Sequence, residues 1–254
     1  MLVVISPAKR LDAAPPALPE GIAATEPAFP AEAAELAAIT GRLDAAGLCK
    51  LMGISPGLAG LNRDRFAAFG MQDRSPAALL FAGDTYAGLE AGRMEADAWR
   101  WAGLHLRILS GLYGLLRPTD RIEPYRLEMG SRLANPRGAD LYAFWGSRIA
   151  RALNEAAETA GIEMLLNCAS VEYFRAVDPA TLALHVVTPV FLEERNGEAR
   201  VISFRAKKAR GAMARFVMEN RLVDPADLAG FNAGGYRFDR ESSTLDRPVF
   251  RCAT

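Results

Sequence analysis

The sequence predicts an α+β fold with a mixed central sheet flanked by helices. Three observations predict it: β-branched runs near both ends, a hairpin signature at Asn196-Gly197, and helical stretches spaced too unevenly for regular βαβ winding. The chain has 254 residues, half of them hydrophobic, enough for a full core. With no repeat and no linker that forces a division, residues 1–254 are expected to form one domain.

Residues 2–6, LVVIS, are β-rich and stop at Pro7, which predicts a buried strand running into a proline-rich loop. From Pro30, PAEAAELAAITGRLDAA has a helix-start proline, early acids and apolar spacing at Leu36, Ile39 and Leu43, so it reads as a helix. Two short helices flank GISP at 53–56. SPAALLFAGD is expected as a strand, and MEADAWRWAGLHL as a helix with Trp99 and Trp101 partly buried. LRILSGLYG predicts a further strand entering a glycine-punctuated turn. GADLYAFWGSRIARALNEAAETAG places Leu141, Phe144, Trp145, Ile149 and Leu153 on one stripe of a helix that ends before Gly161. EMLLNCAS follows as a strand. LHVVTPVFLEERNGEARVISFRA is expected as a hairpin through a type I′ turn at Asn196-Gly197, leading into a helix from about Ala206.

Composition narrows the function. No apolar run approaches the roughly 20 residues of a membrane span, and the start lacks a secretion signal, so a cytoplasmic protein without membrane contact is expected. Cys49, Cys168 and Cys252 form no CxxC pair, and His105 and His185 are the only histidines, so neither a disulfide framework nor a metal site is implied, and no cofactor motif is present. The formal net charge is zero, yet residues 200–221 hold seven basic residues against one acid, and 154–198 hold eight acids against two arginines. Such blocks can build one basic face or several separate solvated ones.

Only four of thirty basic residues are lysine: Lys9, Lys50, Lys207 and Lys208. A lysine retained in an arginine-rich chain supplies a compact point charge or a titratable amine. On the 206–221 helix, Lys207, Lys208, Arg210, Arg215 and Arg221 share one face, opposite Ala206, Ala209, Ala212, Met213 and Phe216. That face suits phosphate neutralisation along DNA, with Lys9 and Arg10 as further DNA-binding candidates. LCKLMGISPGLAGLNRDRF, about 47–68, reads either as a helix-hairpin-helix element or as a plain helical corner. In the first reading Gly53 and Gly57 let backbone N–H groups approach phosphate, with Lys50 beside them.

Ser110, Tyr113, Arg117, Tyr125, Arg126 and Glu128 cluster after a strand. Arg117 and Arg126 can clamp a phosphate with Glu128 in proton transfer, or the same residues can simply pin a long loop. Asp84, Tyr86, Ser170 and Glu172 stand at similar strand-to-turn positions. Lys9, beside Arg10, and Lys207, beside Lys208, join Glu128 as candidate catalytic groups.

The motifs ISPAKRLD, LMGISPGLAGLN, GDTYAGL, LRILSGLYGLLRP, YRLEMG, LYAFW, NCASVEYF and SFRAKKARG, in this order, closely resemble the bacterial YaaA family of peroxide-stress-resistance proteins. The resemblance covers essentially the whole chain. It implies a cytosolic α+β protein with a helix-hairpin-helix element and a basic cleft, binding DNA and limiting iron-driven damage under hydrogen peroxide. It supplies no catalytic residues and no obligate protein partner. Two further expectations stand beside it: an enzyme acting on a nucleic-acid base or sugar, and one acting on a small phosphorylated metabolite.

Overall fold

The structure, a computed structural model, describes residues 1–195 and 198–253. It is a mixed α+β fold with more than one sheet. The largest sheet has five strands in the order Gly114–Leu116, Leu106–Ser110, Leu2–Ile5, Met164–Cys168, His185–Val187. The 2–5 strand pairs in parallel with both neighbours, in the registers Val3↔Leu106 and Val3↔Leu166. The 185–187 strand is also parallel, and 114–116 is the antiparallel edge. Every residue of 2–5 and 106–110 is buried. That fits a parallel strand covered on both faces, and explains why LVVIS and LRILS are continuous rather than alternating hydrophobic runs.

A second sheet, in the order Glu198–Arg200, Val190–Arg195, Val249–Ala253, Arg237–Asp239, draws in the C-terminal segment. The 190–195 and 198–200 strands pair antiparallel as expected; the turn residues Asn196 and Gly197 lie outside the described residues. The 185–187 strand, expected in that hairpin, belongs instead to the larger sheet.

Three other local expectations change. SPAALLFAGD is not one strand: Ser75–Pro76 and Phe81–Ala82 are two-residue ladders around a helical turn, Ala77–Leu80. A short, fully buried apolar run has no periodicity to separate strand from helix, and alanine and leucine favour the helix. The 139–161 stretch is two helices, Leu141–Trp145 and Arg148–Ala160, broken where Gly146 takes φ 48°. Trp99 is fully buried, its Nε1 donating to the Ala91 carbonyl at 3.1 Å.

The longest helix, Ser203–Asn220, begins three residues earlier than expected, because Ile202 at its N-cap offers no side-chain oxygen to mark the start. It crosses the short helix Asp84–Leu89 at backbone contact. A Cβ on Gly211 would lie 1.7 Å from the Thr85 carbonyl oxygen, and one on Gly88 would lie 1.9 Å from that of Lys208. Only glycine permits that approach. The crossing sets where Lys207 and Arg210 stand relative to Asp84 and Thr85. At the start of the long helix, Arg205 pairs with the buried Glu193 of the second sheet at 2.7 Å, and the Tyr236 hydroxyl also donates to Glu193. Among the described residues, no helix is long and apolar enough to cross a membrane.

Candidate functional site

The parallel strands 2–5 and 164–168 end side by side, and the loops after them open a cleft of about 620 Å³. The carboxyl ends of parallel strands are where open α/β sheets bind ligands, and the volume is that of an ordinary small-molecule site. Ser6, Pro7, Ala8, Lys9 and Arg10 supply one wall; Cys168, Ser170, Val171, Glu172 and Tyr173 supply the next. Tyr125 to Glu128 also line it, as do Asp84 and Thr85 from the 84–89 helix and Lys207 and Arg210 from the long helix that packs against it. The Ser6 hydroxyl ties two walls together, accepting from the Ser170 backbone N–H at 2.9 Å and donating to the Ser170 hydroxyl at 3.3 Å.

Five cations therefore face three carboxylates, Asp84, Glu128 and Glu172. Glu128 is 8% exposed, and its Oε1 receives Arg126 Nε at 3.0 Å and Lys9 Nζ at 3.6 Å. Lys9 is two-thirds exposed, so its ion pair is held loosely. The second oxygen, Oε2, is buried without a hydrogen-bond partner. Glu172 Oε1 accepts from the Gly130 backbone N–H at 2.9 Å. Arg10, Lys207 and Arg210 have no ion pair among the described residues. The buried phenols stay protonated: burial first, then neighbouring tyrosine hydroxyls, raises Tyr86 and Tyr173 far above the usual range, and burial raises Tyr125. Tyr86 accordingly donates to the Ser6 carbonyl at 3.2 Å, and Tyr125 bonds the Ser110 hydroxyl at 2.6 Å.

Of the residues read from sequence, Lys9, Arg10, Arg126, Glu128, Lys207 and Arg210 meet in this cleft, together with Asp84, Tyr125, Ser170 and Glu172. Lys50, Arg117 and Lys208 are exposed outside its lining. The Arg117 backbone N–H donates to Asp120 Oδ2 at 2.7 Å, and of the arginine pair read as a phosphate clamp only Arg126 is in the cleft lining. Arg215 is paired, with Glu90 at 2.6 Å and Glu219 at 2.7 Å, and Arg221 with Asp97 at 2.9 Å. The cations of the long helix thus divide into a paired set and an unpaired set, Lys207, Lys208 and Arg210. Gly53 caps the helix Ala45–Met52 with φ 62°, and Gly57 lies in the first turn of Pro56–Ala67 with open space where a Cβ would go. Neither lines the cleft. Ser6 and Tyr173 were missed in the sequence, although Ser6 directly follows the first strand, where ligand-facing loops begin.

Cys168 lines the cleft, its thiol pushed up to about 12 by burial, with Arg210 opposing. Peroxide reacts with thiolate, so this cysteine is inert at neutral pH. Dimedone trapping at pH 7.4 under hydrogen peroxide should leave the Cys168 peptide unmodified by mass spectrometry; an adduct there would show a thiolate that the packing does not allow.

Comparison with known proteins gives this geometry a family. The model described as peroxide stress protein YaaA matches residues 1–242. The chain belongs to that family. Among curated relatives, a UPF0246 protein of Cereibacter sphaeroides (strain ATCC 17029) is 60% identical over 253 residues, covering 98% of each chain. Similar proteins from Ruegeria pomeroyi, 54% identical with 98% of each chain covered, and Dinoroseobacter shibae, 58% identical with 98% of this chain and 94% of that one covered, carry the same UPF0246 description. The family's printed description is a role under peroxide stress, which agrees with the role implied by the motifs ISPAKRLD and SFRAKKARG.

Proposed function

We propose that this protein serves the peroxide response by binding DNA phosphates with the cations of the cleft, the whole chain 1–254 acting as one domain. The supporting observation is that Lys9 and Arg10, nearly 200 residues away in sequence from Lys207 and Arg210, line one concave surface with them, and that three of these four have no ion pair among the described residues. Such a set recruits an anion rather than stabilising the fold.

Iron enters through the same electrostatics. Duplex DNA carries a condensed cation atmosphere, and each phosphate neutralised by a side chain releases its counterions. Iron(II) held there is the species that turns peroxide into damage at the DNA. Displacing it limits that damage without an iron store on the protein. The test is an anisotropy titration of a labelled duplex with the full chain at low salt. Binding with a Kd of roughly 1–100 μM near physiological salt, tightening as salt falls, is expected. No binding at low salt would overturn the reading.

The helix-hairpin-helix at about 47–68 is the second phosphate contact in this proposal, through backbone N–H groups around Gly53 and Gly57. Gly57→Val separates contact from stability, since open space surrounds that position and φ is ordinary. Stability should change by less than about 1 kcal/mol, while duplex affinity falls several-fold. Full affinity in this variant would make the segment a plain helical corner.

A further inference from the structure

The charge of the cleft is matched by a feature that phosphate alone does not use. Glu128 carries one engaged and one unused carboxylate oxygen: Oε1 takes Arg126 closely and Lys9 loosely, while Oε2 is buried with no hydrogen-bond partner among the described residues. A buried acceptor without a donor is costly, and a hydrogen bond to a charged group is among the stronger ones available to a ligand. Glu128 lines the cavity, and rotation about the last side-chain bond of glutamate has no sharp staggered wells, so the carboxylate can exchange part of its Arg126 contact for a ligand donor. The lining of the same cavity includes apolar surface as well as charge: Pro7, Ala8, Leu127, Val171 and Tyr173.

We infer that the cleft receives one nucleoside monophosphate unit, its phosphate on Lys207, Arg210 and Arg10 and an N–H of its base on the Glu128 carboxylate. This rests on the reading of the cleft cations as phosphate contacts. The two recognition elements lie in one cavity of about 620 Å³, within the range of small-molecule sites. An anion alone would leave Glu128 Oε2 without a donor; a neutral base alone would leave three cations unpaired. The unit that satisfies both has phosphate at one end and a donor-bearing, flat, largely apolar ring at the other. It can arrive free or as a nucleotide turned out of a DNA strand, which costs least at a mismatch.

The experiment has two arms with the full chain. Calorimetry compares deoxynucleoside 5′-monophosphates with 2-deoxyribose 5-phosphate, which keeps the phosphate and lacks the base. In parallel, a labelled duplex with one mismatched 2-aminopurine reports overall binding by anisotropy and unstacking by fluorescence.

If the unit comes from solution, the nucleotides should bind about tenfold to a hundredfold tighter than the sugar phosphate. If it comes from the strand, 2-aminopurine should brighten on binding. Glu128→Ala should abolish whichever signal appears without weakening phosphate-driven anisotropy, since it removes a carboxylate and frees Lys9 and Arg126, and the comparison on the unaltered protein stands even if that variant misfolds. Equal binding of nucleotide and sugar phosphate together with an unchanged 2-aminopurine signal overturns the inference. Loss of anisotropy alone, with nucleotide selectivity intact, strikes the DNA reading instead.

Discussion

Gly211→Ala is expected to cost roughly 3 kcal/mol or more, at the upper end of overpacking substitutions, and to lower the thermal midpoint by about 6–12 °C for a chain of this size. The added Cβ would fall 1.7 Å from the Thr85 carbonyl oxygen and 2.8 Å from the Leu89 backbone nitrogen. These are backbone atoms, so no side chain can turn aside to make room. The helices 84–89 and 203–220 must separate, and the cleft rim widens with them. Gly60→Ala provides the contrast: it lies in the 56–67 helix with nothing within 4 Å of its Cβ. There the substitution should stabilise the helix by about 0.5–1 kcal/mol. Calorimetric scans of the two variants check both signs, and a neutral Gly211→Ala would mean that the two helices do not cross at backbone contact.

The second large effect concerns binding. Reversing Lys207 and Arg210 to glutamate removes two unpaired cations from the cleft and places two like charges against the phosphate. Each charge-assisted contact is worth about 1.5–3 kcal/mol, so duplex affinity should fall at least about 100-fold. Neither residue makes an ion pair within the described residues, so the thermal midpoint should stay near that of the unaltered protein. Lys208→Glu makes the same kind of charge change next to Lys207, but Lys208 lies outside the cleft lining. It should weaken binding far less. Equal losses from Lys207→Glu and Lys208→Glu would favour a diffuse basic face over a defined site.

Much of the fold was legible because local physics decides it. The β-branched run at 2–5, the strands 106–110 and 164–168, and the alanine-rich helices 30–41 and 148–160 lie close to where their patterns place them. The misreadings have local causes. Buried AALL at 77–80 carries no period, and Gly146 breaks a stripe that continues on both sides of it. The site was legible as a set of parts and not as an arrangement. Lys9, Arg126, Glu128, Lys207 and Arg210 stand out by residue type and by position after strands. That Arg215 is paired with Glu90 follows from a long-range contact, 125 residues apart, that no periodicity records. Convergence of Lys207 on Lys9 depends on two glycines, Gly88 and Gly211, whose role appears only once the helices they join are seen to cross.

The most direct test of the central claim, that unpaired cations of the cleft neutralise DNA phosphates, is the slope of log affinity against log salt. Each neutralised phosphate contributes about 0.9 to its magnitude on duplex DNA. With Lys207 and Arg210 holding one phosphate between them, the slope of the Lys207→Glu, Arg210→Glu double variant should be shallower than that of the unaltered protein by about 0.9. An unchanged slope in a folded double variant would contradict the account, because DNA would then be binding elsewhere on the molecule.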